Sequence, residues 1–144
     1  MNEPKTRIGR RGPVPGDRSV RRVATPTALL FRFPFAGPWG EELAQASQEL
    51  ASDIANEDGL VWKIWLEDRE TGHAGGIYLF RDAAAASRYR QKHERRLAAM
   101  GLTGVMVDAF SVNTELSVLT MARAALGEPS ASEIPSMATM TIRP

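Results

Sequence analysis

Two apolar segments of strand composition, joined by a short polar connection, occupy residues 59–80 of the chain. Both segments are rich in β-branched and aromatic residues, and the connection, residues 68–72 (DRETG), has the composition of a turn. The stretch therefore predicts an antiparallel β-hairpin. With a connection of about four residues, a usual hairpin length, the register places three pairs opposite each other: Leu66 with Gly75, Ile64 with Ile77, and Trp62 with Leu79.

The two faces of this hairpin are both apolar. Because side chains alternate along a strand, one face carries Trp62, Ile64, Leu66, Ile77 and Leu79. The other face carries Val61, Trp65, Tyr78 and Phe80. A half-solvated hairpin would show polar residues on one side, so we expect helices to cover one face and a second sheet or a second subunit to cover the other.

The composition suits one globular domain and excludes several kinds of site. The 144 residues are 43% hydrophobic and 24% charged, which is enough for a single core. Cysteine is absent, so disulfides, thiolate chemistry and cysteine-based metal sites are excluded, and His73 and His93 are the only imidazoles. No apolar run approaches the roughly 20 residues of a membrane helix, and no apolar signal region follows the basic N-terminus. We therefore expect a cytoplasmic protein with no membrane partner.

The two ends of the chain have compositions typical of flexible segments. Residues 1–26 combine four prolines and three glycines with seven Lys or Arg against two acids, which predicts a basic, flexible N-terminal arm. Its arginines are not interleaved with aromatic residues, so we interpret the arm as solvated and expect no nucleic-acid partner. Residues 127–144 are rich in Pro, Ser, Thr and Met and predict an extended or disordered tail.

Residues 27–126, between the arm and the tail, alternate between strand and helix patterns. They predict a strand at 27–35, a helix at 39–54, the hairpin, a helix from the N-cap Asp82 to about Met100, a strand at 102–112 and a short helix at 114–126. The order β-α-β-β-α-β is the ferredoxin-like pattern of the α+β class. Right-handed crossovers place both main helices on one face of a four-stranded antiparallel sheet, with the first and third strands in the middle.

Three blocks of sequence carry a resemblance to a known family: FPFAGPWGEELAQ at 33–45, LVWKIWLEDRETGHAGGIYLF at 60–80 and YRQKHERRL at 89–97. In this order they resemble the YdhR-type putative monooxygenase family of the dimeric α/β-barrel superfamily, over roughly residues 27–123. The resemblance implies a ferredoxin-like fold that dimerises through its sheets, with a pocket between the sheet and the helices of each subunit. It also implies monooxygenase activity.

Cofactor-free oxygenation requires an electron-rich substrate that is held in a dry pocket and deprotonated, so that the resulting anion can give an electron to oxygen. His93 is the only imidazole on an otherwise apolar helical stripe, and with an ordinary pKa near about 6.5 it could shuttle a proton. A lone histidine on such a face is, however, more often a core residue. Five aromatic side chains are candidates for stacking on a planar substrate, or for plain core packing: Phe33, Phe35, Trp62, Trp65 and Tyr78. We favour Trp62 beside His93 as the centre of the site, and Tyr78 either donates a hydrogen bond to substrate or anchors the dimer.

Three functions are compatible with these residues. The first is a homodimeric, cofactor-independent monooxygenase that uses molecular oxygen and a small aromatic, quinol- or polyketide-like substrate, with no metal. The second is a haem-binding or haem-degrading relative with His93 as axial ligand, although the first strand has no asparagine to complete that pattern. The third is a non-catalytic dimer that binds a small molecule. The glycine-rich phosphate fingerprints, HExxH and GxSxG are absent, so nucleotide-dependent, zinc-hydrolase and serine-hydrolase chemistry is excluded.

Overall fold

A computed structural model describes residues 24–120 and 122–127. The predicted arm (1–26) and tail (127–144) therefore lie outside the described residues except at their inner ends. The described elements are β1 (Thr27–Pro34), α1 (Gly40–Ala46), α2 (Gln48–Ala55), β2 (Leu60–Asp68), β3 (His73–Phe80), α3 (Ala83–Ala99), β4 (Met106–Ser111), α4 (Thr114–Leu119) and a 3-10 turn (Ala124–Leu126). No helix among them is long and apolar enough to cross a membrane.

The four strands form one antiparallel sheet in the order β2-β3-β1-β4. This order places β1 and β3 in the middle and confirms the predicted ferredoxin-like, α+β fold. The hairpin register is confirmed as well, because Trp62 pairs with Leu79, Ile64 with Ile77 and Leu66 with Gly75.

A bulge between Leu60 and Trp62 changes the register at the start of β2. As a result Leu60 lies opposite Phe80, the position that strict alternation assigns to Val61. Because a bulge inserts one extra residue into one strand, two residues, Leu60 and Val61, stand where simple alternation places Val61 alone.

The helices cover the face of the sheet that carries Tyr78 and Phe80. Both side chains are at most 1% exposed and pack with Tyr89 of α3. The same face includes Leu29 and Phe31 of β1, which are also buried. The core therefore lies between the central strands and α3, as the apolar stripe of α3 predicts.

Helix α3 begins and ends as its sequence predicts. The carboxylate of Asp82 accepts a hydrogen bond from the backbone N–H of Ala85 at 2.8 Å, which caps the first turn. Gly101 follows the helix with φ +83°, and the N–H of Leu102 donates to the carbonyl of Leu97 at 3.0 Å. Only glycine adopts such a conformation without strain, so Gly101 ends the helix.

The helix predicted at 39–54 is divided in two by Ser47. Its backbone, at φ −105° and ψ 9°, leaves the helical range between α1 and α2. Ser47 still accepts a hydrogen bond from the N–H of Ala51 and donates its own N–H to Leu43. The break is therefore local, and it lies directly above the pocket described below.

Ion pairs connect α3 to the end of α2 and the loop that follows it. Asp58 pairs with Arg81 at 2.9 Å and with Arg88 at 3.1 Å. In the same region Lys92 pairs with Glu57 and Arg96 with Asp53, each at 2.8 Å. Much of the basic surface of α3 is thus neutralised within the fold.

The second face of the sheet is only partly covered. Strand β4 begins later than predicted because Gly104, at φ +68°, turns the chain before it, and α4 ends at Leu119 instead of continuing to 126. The 3-10 turn reaches β2, where the indole N–H of Trp62 donates to the carbonyl of Ala125. Several large apolar side chains on this face or beside it stay exposed: Ile64 50%, Leu66 37%, Met106 61% and Phe110 58%.

Candidate functional site

A pocket lies between the Tyr78 face of the sheet and the helices α1, α2 and α3. Its inner chamber, a cavity of about 80 Å³, is lined mainly by apolar side chains, including Phe33, Phe35, Leu50, Trp65 and Leu97. An outer groove of about 460 Å³ adjoins it along α1 and α2. The two spaces share Leu43, Ser47, Trp65 and Leu66, so they form one continuous site with Trp65 at the junction.

His93 is held rigidly at the inner end of the chamber. The side chain is 2% exposed, and its ring stacks on Tyr89 with centroids 5.1 Å apart. It also meets the ring of Phe31 edge-on at 5.1 Å. Its Nε2 lies 3.1 Å from the hydroxyl of Tyr78, while its Nδ1 has no hydrogen-bond partner among the described residues.

This environment keeps His93 neutral. Burial, followed by the positive charges of Lys63 and Arg96, lowers the pKa of His93 to about 3. The imidazole is therefore uncharged at every physiological pH. The predicted proton shuttle assumed an ordinary pKa near about 6.5, and that premise does not hold in this pocket because solvent does not reach the ring.

The two tyrosines beside His93 are neutral hydroxyl groups. Burial raises the pKa of Tyr78 to about 12, and burial also raises the pKa of Tyr89. Neither phenol ionises near neutral pH, so each can donate a hydrogen bond but neither can act as a base. The inner end of the chamber thus contains neutral polar groups that are fixed by aromatic packing.

Lys63 is the residue of the chamber that the sequence analysis did not identify. Its ammonium nitrogen lies over two aromatic rings, 3.3 Å from the centroid of Trp65 and 4.7 Å from that of Tyr78. It is the only charged side chain among the described residues that line the chamber. Burial, with a smaller contribution from the charge of Arg96, lowers the pKa of Lys63 to about 7.

Gly76 makes room for this lysine. A β-carbon at position 76 would lie 2.8 Å from Cε of Lys63 and 3.2 Å from the ring of Tyr78. Because glycine has no β-carbon, the lysine stem can cross the sheet surface and reach the aromatic rings. The sequence signal for Lys63 was its position: alternation from Trp65 places it on the same face as Tyr78, where it is a lone charge among apolar residues.

The structure brings most of the predicted site residues together and separates one. Five of them line the inner chamber: Phe33, Phe35, Trp65, Tyr78 and His93. Trp62 does not, because it pairs with Leu79 on the opposite face of the sheet from Tyr78. Of the two tryptophans of β2, Trp65 shares the chamber lining with His93 and Trp62 does not. No cluster of three acidic or histidine side chains that could hold a metal occurs in residues 24–120 and 122–127.

Several solved structures have a similar fold. The cofactor-independent oxygenase SnoaB from Streptomyces nogalater is 19% identical, with a TM-score of 0.48 and coverage of 63% of this chain and 96% of SnoaB. PA3566 from Pseudomonas aeruginosa is 23% identical, with a TM-score of 0.47 and coverage of 62% and 96%. The heme-degrading protein Rv3592 from Mycobacterium tuberculosis is 15% identical, with a TM-score of 0.42 and coverage of 62% and 93%. Identities this low leave the chemistry to be argued from the residues of the chain itself.

A comparison with curated proteins gives no significant match. The family model described as "Putative mono-oxygenase ydhR" matches residues 28–123. This span contains every residue that lines the inner chamber, from Phe33 to Leu102. The chain therefore belongs to the ydhR family of putative mono-oxygenases.

Proposed function

We propose that this protein is a cofactor-independent monooxygenase that acts on a small aromatic, quinol- or polyketide-like substrate. The observation that carries the proposal is the distribution of polarity in the pocket. Its walls are apolar and aromatic, whereas Lys63, Tyr78 and His93 gather at one end. Such a site can hold a planar substrate and direct one polar substituent to a fixed position.

The dimensions of the outer groove and the inner chamber indicate how a substrate would be held. The outer groove has room for a planar ring system beside Trp65, and the small inner chamber accepts one edge of that system together with dioxygen. In the balanced reaction a methylene group of the substrate becomes a carbonyl group. One oxygen atom of dioxygen enters the substrate, and the other leaves as water with the two hydrogens that the substrate loses. The protein supplies position, dryness and control of one proton.

In this proposal His93 acts as a neutral hydrogen-bonding group. Its pKa of about 3 makes it a weak base, so it orients the hydroxyl of Tyr78 instead of accepting a proton from substrate. With the imidazole proton on Nε2, His93 donates to the hydroxyl oxygen of Tyr78, and the phenolic hydrogen of Tyr78 stays free to donate to substrate at the polar end of the chamber. The two residues together define where the substrate oxygen is placed.

Haem binding through His93 is poorly supported by the geometry. The Nε2 atom that would ligate iron lies 3.1 Å from the hydroxyl of Tyr78, and the ring is 2% exposed. The proposed reaction therefore involves no haem.

The test is oxygen consumption with dithranol and with anthrone, each of which carries a methylene group that can become a carbonyl group, in buffer that contains a chelator. We expect protein-dependent oxygen uptake together with formation of the corresponding quinone. If both compounds bind and neither is oxidised faster than in buffer alone, the protein is a binder and the proposed reaction is wrong.

Two tryptophans on the same strand provide a matched pair of variants. Trp65→Leu removes the aromatic surface at the junction of chamber and groove, so we expect kcat/KM to fall by about tenfold or more, the effect of about 1.4 kcal/mol of lost stacking. Trp62→Leu changes the opposite face and should leave kcat/KM unchanged. Equal losses in the two variants would place the substrate elsewhere.

We also infer that the protein is a homodimer in which the partly covered faces of two sheets pack together. Ile64, Met106 and Phe110 are each at least 50% exposed, which is unusual for apolar side chains on the face of a sheet. Multi-angle light scattering at micromolar concentration should give about twice the 15.8 kDa chain mass. Met106→Glu should shift the protein toward monomer, and a monomeric wild type would contradict the inference.

A further inference from the structure

Lys63 is a half-buried lysine in the wall of an otherwise mainly apolar pocket. It makes no ion pair and no hydrogen bond with any described residue, and its only close contacts through nitrogen are the faces of Trp65 and Tyr78. Ring faces attract a cation but compensate only part of the hydration that it loses. The chamber therefore holds a single charge that no acidic side chain of the described chain neutralises.

A ligand can supply the negative charge that the chamber lacks. A planar molecule with an acidic hydroxyl group can lie against the aromatic walls and place its oxygen beside the lysine nitrogen. If the hydroxyl ionises, the oxygen becomes the missing counter-ion, and an ion pair in an apolar site is far stronger than in water. Gly76 belongs to the same arrangement, because any larger residue would push the lysine stem away from this position.

We propose that Lys63 is the proton acceptor and counter-ion of the substrate, and that the substrates are therefore planar molecules with a phenolic or enolic hydroxyl group. This inference rests on the proposed function and defines its substrate class. In the step assigned to Lys63, the substrate O–H bond breaks and an N–H bond forms, which leaves an ammonium beside an aryloxide or enolate. The anion gives its electrons to dioxygen, and a C–O bond forms at the reacting carbon. The O–O bond then breaks as that carbon loses its C–H hydrogen, and water leaves with this hydrogen and the proton that the ammonium returns.

The ionisation behaviour of Lys63 agrees with this role. With its pKa lowered to about 7, the amine is half deprotonated at neutral pH, so one side chain can accept a proton and then hold the anion. The proton-accepting form is present above about pH 7 and is lost as the pH falls below it. The described titratable and charged groups that adjoin Lys63 include Tyr78 on β3 and Tyr89, His93 and Arg96 on α3. Asp53 on α2 adjoins Arg96, and Glu67 on β2 itself lines the outer groove.

None of these groups can take over the proton transfer. Tyr78, Tyr89 and His93 are neutral at pH 7 for the reasons given above. Arg96 is paired with Asp53 at 2.8 Å. Glu67 lines the outer groove, where its carboxylate accepts from the backbone N–H of Gly40 at 3.1 Å. Lys63 is thus the one group at the polar end of the chamber whose pKa lies near neutrality.

The first experiment measures ionisation of a bound phenol that does not react with oxygen. 4-Nitrophenol is titrated with protein, and the absorbance of its phenolate reports the charge state of the bound probe. We expect the wild type to lower the apparent pKa of bound 4-nitrophenol by about one unit, a tenfold shift in its ionisation equilibrium. Lys63→Met should abolish this shift, and Lys63→Arg, which keeps a positive charge, should retain it.

Two neutral or acidic analogues control for the ligand class. 4-Nitroanisole has no ionisable hydroxyl and should bind equally well to the wild type and to Lys63→Met. 4-Nitrobenzoate tests whether the lysine selects carboxylates instead. Tighter binding of 4-nitrobenzoate than of 4-nitrophenol to the wild type would overturn the proposed substrate class.

The second experiment is the pH dependence of oxygen uptake. In the wild type kcat/KM should fall tenfold per pH unit below about pH 7. This limb should persist in His93→Gln and disappear in Lys63→Met and Lys63→Arg, since neither residue can accept a proton. A structural role for Lys63 would change melting temperature and rate without removing the limb, so an intact limb in folded Lys63→Met overturns the proposal.

The two experiments separate this inference from the proposed function. If the wild type ionises 4-nitrophenol through Lys63 but oxidises no substrate, the monooxygenase proposal fails and the ligand class stands. If oxygen uptake survives in Lys63→Met and the probe shows no shift in the wild type, the role of Lys63 is wrong. Should Lys63→Met not fold, Gly76→Ala displaces the lysine without removing it, and an unchanged probe shift in that variant would equally contradict the inference.

Discussion

Gly75→Ala should strongly destabilise the central sheet. A β-carbon at position 75 would lie 1.9 Å from the carbonyl oxygen of Phe31 and 2.8 Å from its carbonyl carbon. These are backbone atoms of the paired strand β1, so no side-chain rotation relieves the overlap. The central strands β1 and β3 would have to separate, and we expect a loss of more than about 3 kcal/mol, the upper part of the range for overpacking.

The measurement is thermal or urea unfolding of the purified variant. Against a total stability of about 5–15 kcal/mol for a typical domain, a loss of this size lowers the melting temperature by more than about 10 °C or abolishes soluble expression. Gly40→Ala is the control, because a β-carbon at position 40 meets no atom within 4 Å and only the positive φ of 58° opposes it. A Gly75→Ala protein that melts within a few degrees of wild type would show that the β1–β3 pairing is looser than described.

Acid should destabilise the fold, with His93 as a major cause. The pKa of His93 is lowered from 6.5 in the unfolded chain to about 3 in the folded protein, so the unfolded state binds one more proton between these values. The stability that neutral His93 provides is therefore complete above pH 6.5 and is lost as the pH falls toward 3. The expected slope is about 1.4 kcal/mol per pH unit across this window.

His93→Gln isolates this contribution. Glutamine can keep a hydrogen bond to Tyr78 but does not titrate, so the variant should show a shallower dependence of unfolding free energy on pH between 6.5 and 4. Urea unfolding at several pH values gives the slope for both proteins, and the difference between them belongs to His93. Identical slopes would mean that His93 is solvated or partnered in a way that leaves its pKa ordinary.

The sheet could be predicted from the sequence because its signals are local. Alternation and turn composition determine the pairing of Trp62 with Leu79, and two crossovers determine the strand order. The position of the helices was harder to predict. Alternation indicates which residues share a face of the hairpin. Because both faces are apolar, it does not indicate which face the helices cover, and so it does not predict that α3 packs on Tyr78. For this reason Trp62 was predicted in the site with His93, whereas Trp65 is the tryptophan that lines the chamber.

The role of Lys63 could not be predicted from the sequence, because it depends on the residues that surround the side chain in the folded protein. A lysine in a strand ordinarily turns to solvent, and the sequence pattern carries no information on the rings that lie beneath it. Its site depends on Gly76 in the adjacent strand and on Trp65 two residues along. The pKa of His93 could not be predicted either, since it depends on how completely α3 and β3 exclude water.

Because β2 lies at the edge of the sheet, Lys63 also affects the solubility of the protein. β2 is an edge strand, and an exposed edge can pair with the edge of another molecule and begin aggregation. Two features oppose such pairing here: the bulge between Leu60 and Trp62, and Lys63, whose charge points inward. A strand added alongside β2 would cover this ammonium further and leave it without water. Replacing Lys63 by an apolar residue therefore removes a charge that disfavours edge-to-edge association. Lys63→Met preparations should form larger oligomers or aggregates on storage than the wild type does.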